Sequence, residues 1–339
     1  MKASDFKIGG VFIKRGERKK IQLAVSNLYD GTDLSIPVEV IRGKEAGPVL
    51  FISAAIHGDE INGTEVISRI LRNKSLKKLK GTLIAVPVVN VFGFNMLSRY
   101  LPDRRDLNRS FPGSKNGSLA SRLANIFMNE IVKKSTHGID LHTGAIHRAN
   151  LPQIRAYMDN PETKRLAFEF GVPVVLNSDI RDGSLREAAR RKNIPMLLFE
   201  GGEALRFDEK IIRMAVHGCF SVMRSIGMLK KKKEAERREV FISWESQWLR
   251  SPVSGLVRTI KDIGTHIKED ELIGVITDPF GKPRGLVKSP FEGIIIGQLK
   301  LPLVNSGDAL FHIASFHNTR KVQKSIRQIE QDMFQCFYD

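Results

Sequence analysis

The feature that most constrains the fold of this chain is a regular alternation of strand-like and helix-like segments between residues 48 and 228. Apolar runs of strand length occur at residues 49–56, 82–89, 138–142, 153–157, 173–176 and 195–199. Helical patterns lie between and after them, at residues 60–72, 118–134, 161–170, 184–192 and 207–228. Such an alternation is typical of a largely parallel or mixed sheet covered by helices on both faces. The sequence therefore predicts an α/β fold.

The first of these strands is followed at once by His57-Gly58-Asp59-Glu60. The strand should end here, the chain should turn at Gly58, and Glu60 is predicted to begin a helix. This point is the carboxyl edge of the sheet, where α/β folds place their functional sites. A histidine and a glutamate three residues apart could supply nitrogen and oxygen ligands to a catalytic zinc. Alone, however, the pair is better explained as the acidic first turn of a helix.

A second histidine at a predicted strand end changes that interpretation. His142 lies in Gly138-Ile139-Asp140-Leu141-His142-Thr143-Gly144, which is a short apolar strand followed by a glycine turn. With His57 and Glu60 it completes the three protein ligands of a catalytic zinc, so the sequence predicts one Zn²⁺ per chain. Asp140, two residues before His142, is predicted to orient this ligand or to have a structural role.

An arginine-rich loop, residues 98–113, separates the two predicted ligand strands. Arginine side chains carry forked donors that fit carboxylates and stay charged at any physiological pH. Beside a zinc, one arginine could polarise a carbonyl group and another could hold a substrate carboxylate. For Arg104 and Arg105 we favour a solvent-exposed location.

The charge balance does not by itself identify a partner. The chain has 339 residues, with 54 Lys and Arg against 37 Asp and Glu, a formal charge of +17. The only dense basic run, Lys230–Lys233, has no interleaved aromatic residues, which favours a solvated linker over a nucleic-acid site. Two cysteines, the lack of an apolar leader and the lack of a membrane-length apolar run predict a cytoplasmic protein without a membrane partner.

The chain after this basic run contains strands, turns and an internal repeat. Ser251-Pro252-Val253-Ser254-Gly255 recurs as Ser289-Pro290-Phe291-Glu292-Gly293, and Asp270-Glu271-Leu272 recurs at the same offset as Asp308-Ala309-Leu310. The repeat predicts a small pseudo-symmetric all-β domain that resembles the biotinyl/lipoyl-type barrel-sandwich hybrid. We therefore predict a catalytic domain at 1–229, a charged linker at 230–240, the β domain at 241–316 and a helical tail at 317–339.

Four motifs resemble, in the same order, those of the succinylglutamate desuccinylase/aspartoacylase family, which is related to the zinc carboxypeptidases. They are His57-Gly58-Asp59-Glu60, Asp106-Leu107-Asn108-Arg109, Asp140-Leu141-His142 and Phe199-Glu200-Gly201-Gly202. The resemblance covers residues 45–230, and four ordered motifs make chance agreement improbable. It implies a zinc-carboxypeptidase-like mixed sheet flanked by helices, with the small β domain appended, and His57, Glu60 and His142 as zinc ligands.

The same resemblance implies roles for residues around the metal. Glu200 would be the catalytic carboxylate, with Glu203 as a second choice, and Arg99 would polarise the carbonyl group of the scissile bond. Asn108 and Arg109 would bind the substrate. The implied activity is the zinc-dependent hydrolysis of an N-acyl amino acid or a related carboxylate-bearing substrate.

Two alternatives stay open at this point: an exopeptidase with the same site that acts on acidic peptides, and a non-catalytic metal-binding protein. The identity of the acyl group and the formation of a homo-oligomer are also open.

Overall fold

The structure, a computed structural model, describes residues 6–178, 182–231 and 239–335. The strands up to the basic run are β1 (Phe6–Ile8), β2 (Val11–Ile13), β3 (Arg18–Asn27), β4 (Asp33–Arg42), β5 (Glu45–Ala54), β6 (Lys80–Val86), β7 (His137–Gly144), β8 (Arg148–Ala156), β9 (Val174–Asn177) and β10 (Met196–Glu203). The later strands are β11 (Phe241–Ser243), β12 (Ser246–Arg250), β13 (Gly255–Thr259), β14 (His266–Ile267), β15 (Leu272–Thr277), β16 (Pro283–Lys288), β17 (Gly293–Leu299), β18 (Leu303–Val304) and β19 (Ala309–Ala314). The helices are α1 (Asn62–Arg72), α2 (Val91–Asn95), α3 (Leu119–Glu130), α4 (Pro161–Phe170), α5 (Leu185–Arg190), α6 (Glu209–Ser225) and α7 (Thr319–Gln335).

A 13-stranded mixed sheet forms the centre of the fold, and its main path runs in the order β12-β19-β17-β8-β10-β7-β5-β6-β4-β3. The pairs β5–β6, β5–β7 and β7–β10 are parallel, whereas β8 and the strands beyond it pair antiparallel with their neighbours on this path. The predicted α/β class with a mixed sheet is therefore confirmed.

Helices cover both faces of this sheet, which explains why its central strands are largely apolar. On one face, Phe199 of β10 stacks on Phe170 of α4 with ring centroids 5.4 Å apart. On the other face, Phe51 of β5 packs edge-on against Phe127 of α3 at 6.0 Å. Both faces of these central strands are thus covered, as expected for parallel strands in α/β folds.

Each helix predicted over residues 60–228 is present in the structure, in the predicted order, and there are two differences. The prediction that Glu60 begins a helix was wrong: α1 begins at Asn62, and Glu60 lies in a turn closed by its N–H group to the carbonyl oxygen of His57 (3.1 Å). The Glu60 carboxylate reaches back to the His57 ring, so this residue belongs to the turn. The short helix α2 was not predicted.

The C-terminal strands form two interlocked halves, as the repeat predicts for a pseudo-symmetric unit. The N–H group of Ser251 donates to the carbonyl of Asp308 (2.8 Å), and that of Ser289 donates to the carbonyl of Glu271 (3.0 Å). Each Ser-Pro turn is therefore bound to the other half of the repeat. The four-stranded sheet β16-β15-β13-β18 shares an apolar core, which includes Phe311, with strands of the large sheet.

The C-terminal strands also extend the central sheet. Strand β17 pairs antiparallel with β8, with Gly297 opposite Asn150, and β11 pairs parallel with β9. Helix α7 packs over this junction through Val322 and Ile326. The predicted division into domains stays a prediction, and residues 232–238 of the predicted linker lie outside the described residues.

We expect Gly58→Ala to destabilise the fold near the His57–Glu60 turn. A Cβ atom there would lie 2.0 Å from the carbonyl carbon of Gly93 and 2.1 Å from the nitrogen of Phe94, so backbone would have to move. The expected loss in the free energy of unfolding, measured by urea denaturation, is about 1–3 kcal/mol. The control is Gly274→Ala, whose nearest contact would be 3.4 Å. Equal stability of the two variants would contradict the tight packing at Gly58.

Candidate active site

Three buried side chains converge at the carboxyl ends of β5 and β7. Glu60 Oε1 lies 2.8 Å from His57 Nδ1, and Glu60 Oε2 lies 2.7 Å from His142 Nδ1. One candidate ligand atom from each residue can be chosen so that all three lie within 4.8 Å of one another. The three predicted ligands are therefore brought together, although 82 positions separate Glu60 from His142 in the chain.

Each histidine is held through its other ring nitrogen by an aspartate. His142 Nε2 lies 2.6 Å from Asp140 Oδ2, because residues two apart on a strand share a face. Asp140 in turn accepts a hydrogen bond from the hydroxyl of Ser53 on the adjacent strand (2.7 Å). His57 Nε2 lies 3.3 Å from Asp106 Oδ1. Such carboxylate partners are typical of histidines that bind metal through the opposite nitrogen.

The charges of the carboxylate and the imidazoles in this cluster stabilise one another, which shifts their pKa values. Burial opposes ionisation of Glu60, but the neighbouring imidazoles outweigh this effect and hold the pKa of the carboxyl well below its ordinary value. Burial also opposes a proton on His142, yet Asp140 and Glu60 raise its pKa well above the ordinary value. The pKa of His57 is raised as well, because Glu60 and Asp106 outweigh its burial.

The donor set fits a zinc ion. Two imidazoles and one carboxylate are a known ligand set of catalytic zinc, which keeps a further coordination position for water or substrate. His57, Glu60 and His142 could therefore hold the metal, while Asp106 and Asp140 orient the two rings. Asp106 was quoted in a sequence motif, but its contact with His57 was not predicted, because 49 residues separate the two in the chain.

Arg99 lies beside the candidate metal ligands. Its guanidinium donates to Glu60 Oε1 (3.2 Å) and to Asp106 Oδ2 (3.0 Å). Burial opposes its charge, but these two carboxylates outweigh that effect and raise the pKa of Arg99. Arg99 is therefore a charged group at the edge of the His–Glu–His cluster.

Glu200 occupies the strand next to His142. In the parallel pair β7–β10 the two residues are direct neighbours, so their side chains lie on the same face of the sheet. Asn150 Nδ2 donates to Glu200 Oε2 at 2.7 Å, and Arg155 Nε lies 3.6 Å from Glu200 Oε1. Glu203, beyond a register shift in β10, instead lies 3.4 Å from Arg206.

The loop motif around Asn108 joins the site to α5. Asn108 Oδ1 accepts a hydrogen bond from the N–H group of Leu185 (2.9 Å), and Arg109 Nη1 donates to the carbonyl of Asn108 (2.6 Å). Arg109 is exposed to solvent but lines the cavity, whereas Arg104 and Arg105 are exposed and are absent from the cavity lining.

All seven sequence-predicted site residues line one cavity of about 470 Å³. They are His57, Glu60, Arg99, Asn108, Arg109, His142 and Glu200. The sequence did not indicate that Arg148, Arg155 and Arg186 would line the same cavity, nor that Trp248 and Arg250 from the C-terminal strands would do so. No local pattern marks these residues, since they come from three separate segments, β8, α5 and β12.

The described helices include none that is both long enough and apolar enough to cross a lipid bilayer.

Known proteins resemble this chain in sequence and in fold. The chain is similar to N-alpha-acetyl-L-2,4-diaminobutyric acid deacetylase of Halomonas elongata, with 24% identity over 293 residues that cover 82% of this chain and 85% of the relative. In fold it is similar to the product-bound ectoine utilization protein EutE (DoeB) of Ruegeria pomeroyi, with a TM-score of 0.81, 22% identity, and coverage of 89% of this chain and 96% of that chain. A succinylglutamate desuccinylase/aspartoacylase of Rhodobacter sphaeroides has a TM-score of 0.79, 22% identity, and coverage of 89% and 97%.

A family model, the succinylglutamate desuccinylase/aspartoacylase catalytic domain, matches residues 46–226. That match covers more than half of the chain and contains all four sequence motifs. The chain therefore belongs to the succinylglutamate desuccinylase/aspartoacylase family of deacylases.

Proposed function

We propose that this protein is a zinc-dependent amidohydrolase that removes the acyl group from a small N-acyl amino acid. The observation that carries the proposal is the buried His57–Glu60–His142 cluster, which lies beside Glu200 in an arginine-lined cavity. A volume of about 470 Å³ suits a small molecule. The printed name of the Halomonas elongata relative, a deacetylase of an acylated amino acid, supports the same substrate class.

A zinc ion bound by these three residues would supply Lewis-acid chemistry and would lower the pKa of a water molecule in its open position to about 7. Glu200 Oε2 accepts a hydrogen bond from the Asn150 amide, and Glu200 Oε1, which lies 3.6 Å from Arg155 Nε, is the oxygen that would accept a proton from the attacking water. We assign it the role of general base and then of proton donor to the leaving amine.

Two further roles follow from charge and position. Arg99 is positively charged at the edge of the cluster, so it could stabilise negative charge that develops on the carbonyl oxygen of the substrate. Arg109 lines the cavity, its backbone is tied to α5 through Asn108, and its forked donors fit the free carboxylate of the amino acid.

An exopeptidase that acts on acidic peptides would use the same groups. Hydrolysis rates for acidic dipeptides and for N-acyl amino acids, measured side by side, distinguish the two activities.

We also propose a reducing compartment such as the cytoplasm. The sequence has only two cysteines, and Cys219 is buried as a free thiol. Cys336 lies outside the described residues.

The purified protein should bind about one zinc per chain. His142→Ala should lose most of the bound zinc, because only two of the three protein ligands remain. Mass-spectrometric metal analysis after dialysis measures this. The matched control is His137→Ala, on the same strand but outside the cluster, which should keep its zinc. Full zinc occupancy in His142→Ala would disprove the assigned ligand set.

Glu200→Gln should keep zinc but lower kcat by about 10²-fold or more, because the amide retains shape and hydrogen bonding but cannot accept the proton. Steady-state hydrolysis of an N-acetyl amino acid measures the loss. Glu203→Gln is the control and should remain close to the native rate, since Glu203 contacts Arg206 and is absent from the cavity lining. Normal turnover by Glu200→Gln would transfer the role of base to another group.

Arg109→Lys should lower kcat/KM for a free-acid substrate by about tenfold or more, because lysine keeps the charge but loses the forked pair of donors. The native enzyme should also hydrolyse the methyl ester of that substrate far less efficiently than the free acid. Arg105→Lys, an exposed change in the same loop, is the control. Equal kcat/KM values for the ester and the acid would refute the role of Arg109 as a carboxylate clamp.

A further inference from the structure

Strand β8 presents several polar side chains to Glu200. Gln153 of β8 is the direct neighbour of Glu200 in the antiparallel pair β8–β10, and Arg155 lies two residues further along β8. Direct neighbours in such a pair share a face of the sheet, and residues two apart on one strand share a face as well. Gln153 and Arg155 therefore face the same side of the sheet as Glu200.

A bulge in β8 adds Asn150 to this group. In a regular strand Asn150 and Gln153, three residues apart, would face opposite sides of the sheet. The register shifts between them, because β8 contains one residue more here than the paired stretch of β10. Pro152 lies in this stretch, and a residue without an N–H group is tolerated at such an interruption of the ladder. Bulges next to active sites often redirect a side chain, and this one directs Asn150 toward Glu200.

The amide of Gln153 is buried without a partner. Gln153 is 0% exposed, and neither its Nε2 nor its Oε1 atom has a hydrogen-bond partner in the part of the chain that the structure describes. Within the same described residues, Arg155 Nε is also buried without a hydrogen bond, at 3.6 Å from Glu200 Oε1. Unpaired polar atoms are costly to bury, so proteins usually satisfy them with ordered water or retain them for a function.

The surroundings of Gln153 indicate Glu200 as the group with which it interacts. Its neighbour on the other side, Val174 of β9, is buried and has no hydrogen-bonding side chain. Two polar groups separated by more than about 3.5 Å are commonly bridged by a water molecule, and the gap between Arg155 Nε and Glu200 Oε1 is of that size. A carboxylate oxygen has two lone pairs, so Oε1 can accept a hydrogen bond on this side and still accept a proton from the cavity.

We propose that Gln153 is a positioning residue for Glu200 and acts through one buried water molecule. The water accepts a hydrogen bond from Arg155 Nε, shares one with the Gln153 amide and donates one to Glu200 Oε1. About three hydrogen bonds are typical of a buried water. The inference rests on the proposed deacylase function, in which Glu200 is the general base.

Such a water would fix the direction of the Glu200 carboxylate. Asn150 holds Oε2 and the water holds Oε1, so the second lone pair of Oε1 keeps a constant direction. General-base catalysis depends on this orientation, because a displacement of about 1 Å can lower the rate by about 10²-fold. Gln153 is not among the described residues that line the cavity, so its loss should lower kcat rather than weaken substrate binding.

The first test is Gln153→Met in the zinc-loaded full chain, because methionine has a similar length but no amide. The substrate is the N-acetyl amino acid that the native enzyme hydrolyses fastest. We expect kcat to fall by about tenfold or more, with KM and the zinc content close to the native values. An unchanged kcat in Gln153→Met would overturn the inference.

The matched control is Gln298→Met, which replaces a second buried glutamine outside the cavity lining. Gln298 Nε2 donates to the carbonyl of Lys261 (3.5 Å), and Gln298 Oε1 accepts from Lys300 Nζ (2.6 Å). This variant also removes a buried amide, so it should lower the thermal stability but keep kcat close to the native value. An equal loss of kcat in the two variants would refute a specific role of Gln153.

Gln153→Asn separates hydrogen bonding from packing. Asparagine keeps the amide and is one methylene shorter, which leaves space for the water to follow it. We expect Gln153→Asn to recover most of the kcat that Gln153→Met loses. Equal kcat values for the two variants would assign the effect to packing and contradict the proposed role.

A high-resolution crystal structure of the zinc-loaded protein tests the water site without catalysis. It should show one ordered water within hydrogen-bonding distance of Gln153, Arg155 and Glu200, and Gln153→Met should lose this water. Its absence from the native protein would refute the inference. The ordered water without hydrolysis of any N-acyl amino acid would support the site and refute the deacylase function. Hydrolysis with native kcat in Gln153→Met would support the deacylase function and refute the role of Gln153.

Discussion

The arrangement of the site depends on one buried interaction, the contact of the Glu60 carboxylate with the imidazoles of His57 and His142. Glu60 is only 2% exposed, and a charge buried to that extent is costly unless it is paired. Its partners come from a turn after β5, from the end of β7 and, through Arg99, from the arginine-rich loop after α2. The parallel pairing of β5 with β7 therefore places both imidazoles against the negative charge of Glu60. A divalent cation between the same groups would compensate that charge further.

A second dependence joins the C-terminal strands to Glu200, the proposed catalytic carboxylate. Asn150 donates to Glu200 and stands opposite Gly297 in the β8–β17 pair, so the strand that supports Glu200 is itself bordered by the C-terminal unit. Trp248 and Arg250 of the C-terminal strands also line the cavity. In this chain the appended β unit is continuous with the large sheet, which gives it a direct influence on the shape and charge of the cavity.

Much of the site could be predicted from sequence because its parts are local. His57 and Glu60 lie in one turn, Asp140 and His142 lie two residues apart on one strand, and each segment follows an apolar run whose end marks the edge of the sheet. The ordered motifs and the family resemblance then related these segments to each other, and the α/β class followed from the alternation of strands and helices. The exact start of α1 did not follow, because the position of Glu60 is decided by imidazoles that include one 82 residues away.

The sequence by itself determined the fold class, the C-terminal repeat and the candidate metal ligands, since periodicity and short spacings record them. Only the tertiary structure decided that Asp106 contacts His57, that Asn150 holds Glu200, and that Arg148 stacks on Trp248. Each of these contacts joins residues 49 to 100 positions apart. The pairing of β8 with β10 brings Asn150 to Glu200, and the pairings β8–β17, β17–β19 and β12–β19 bring Arg148 to Trp248. Strand register over such distances is governed by packing that no local pattern encodes.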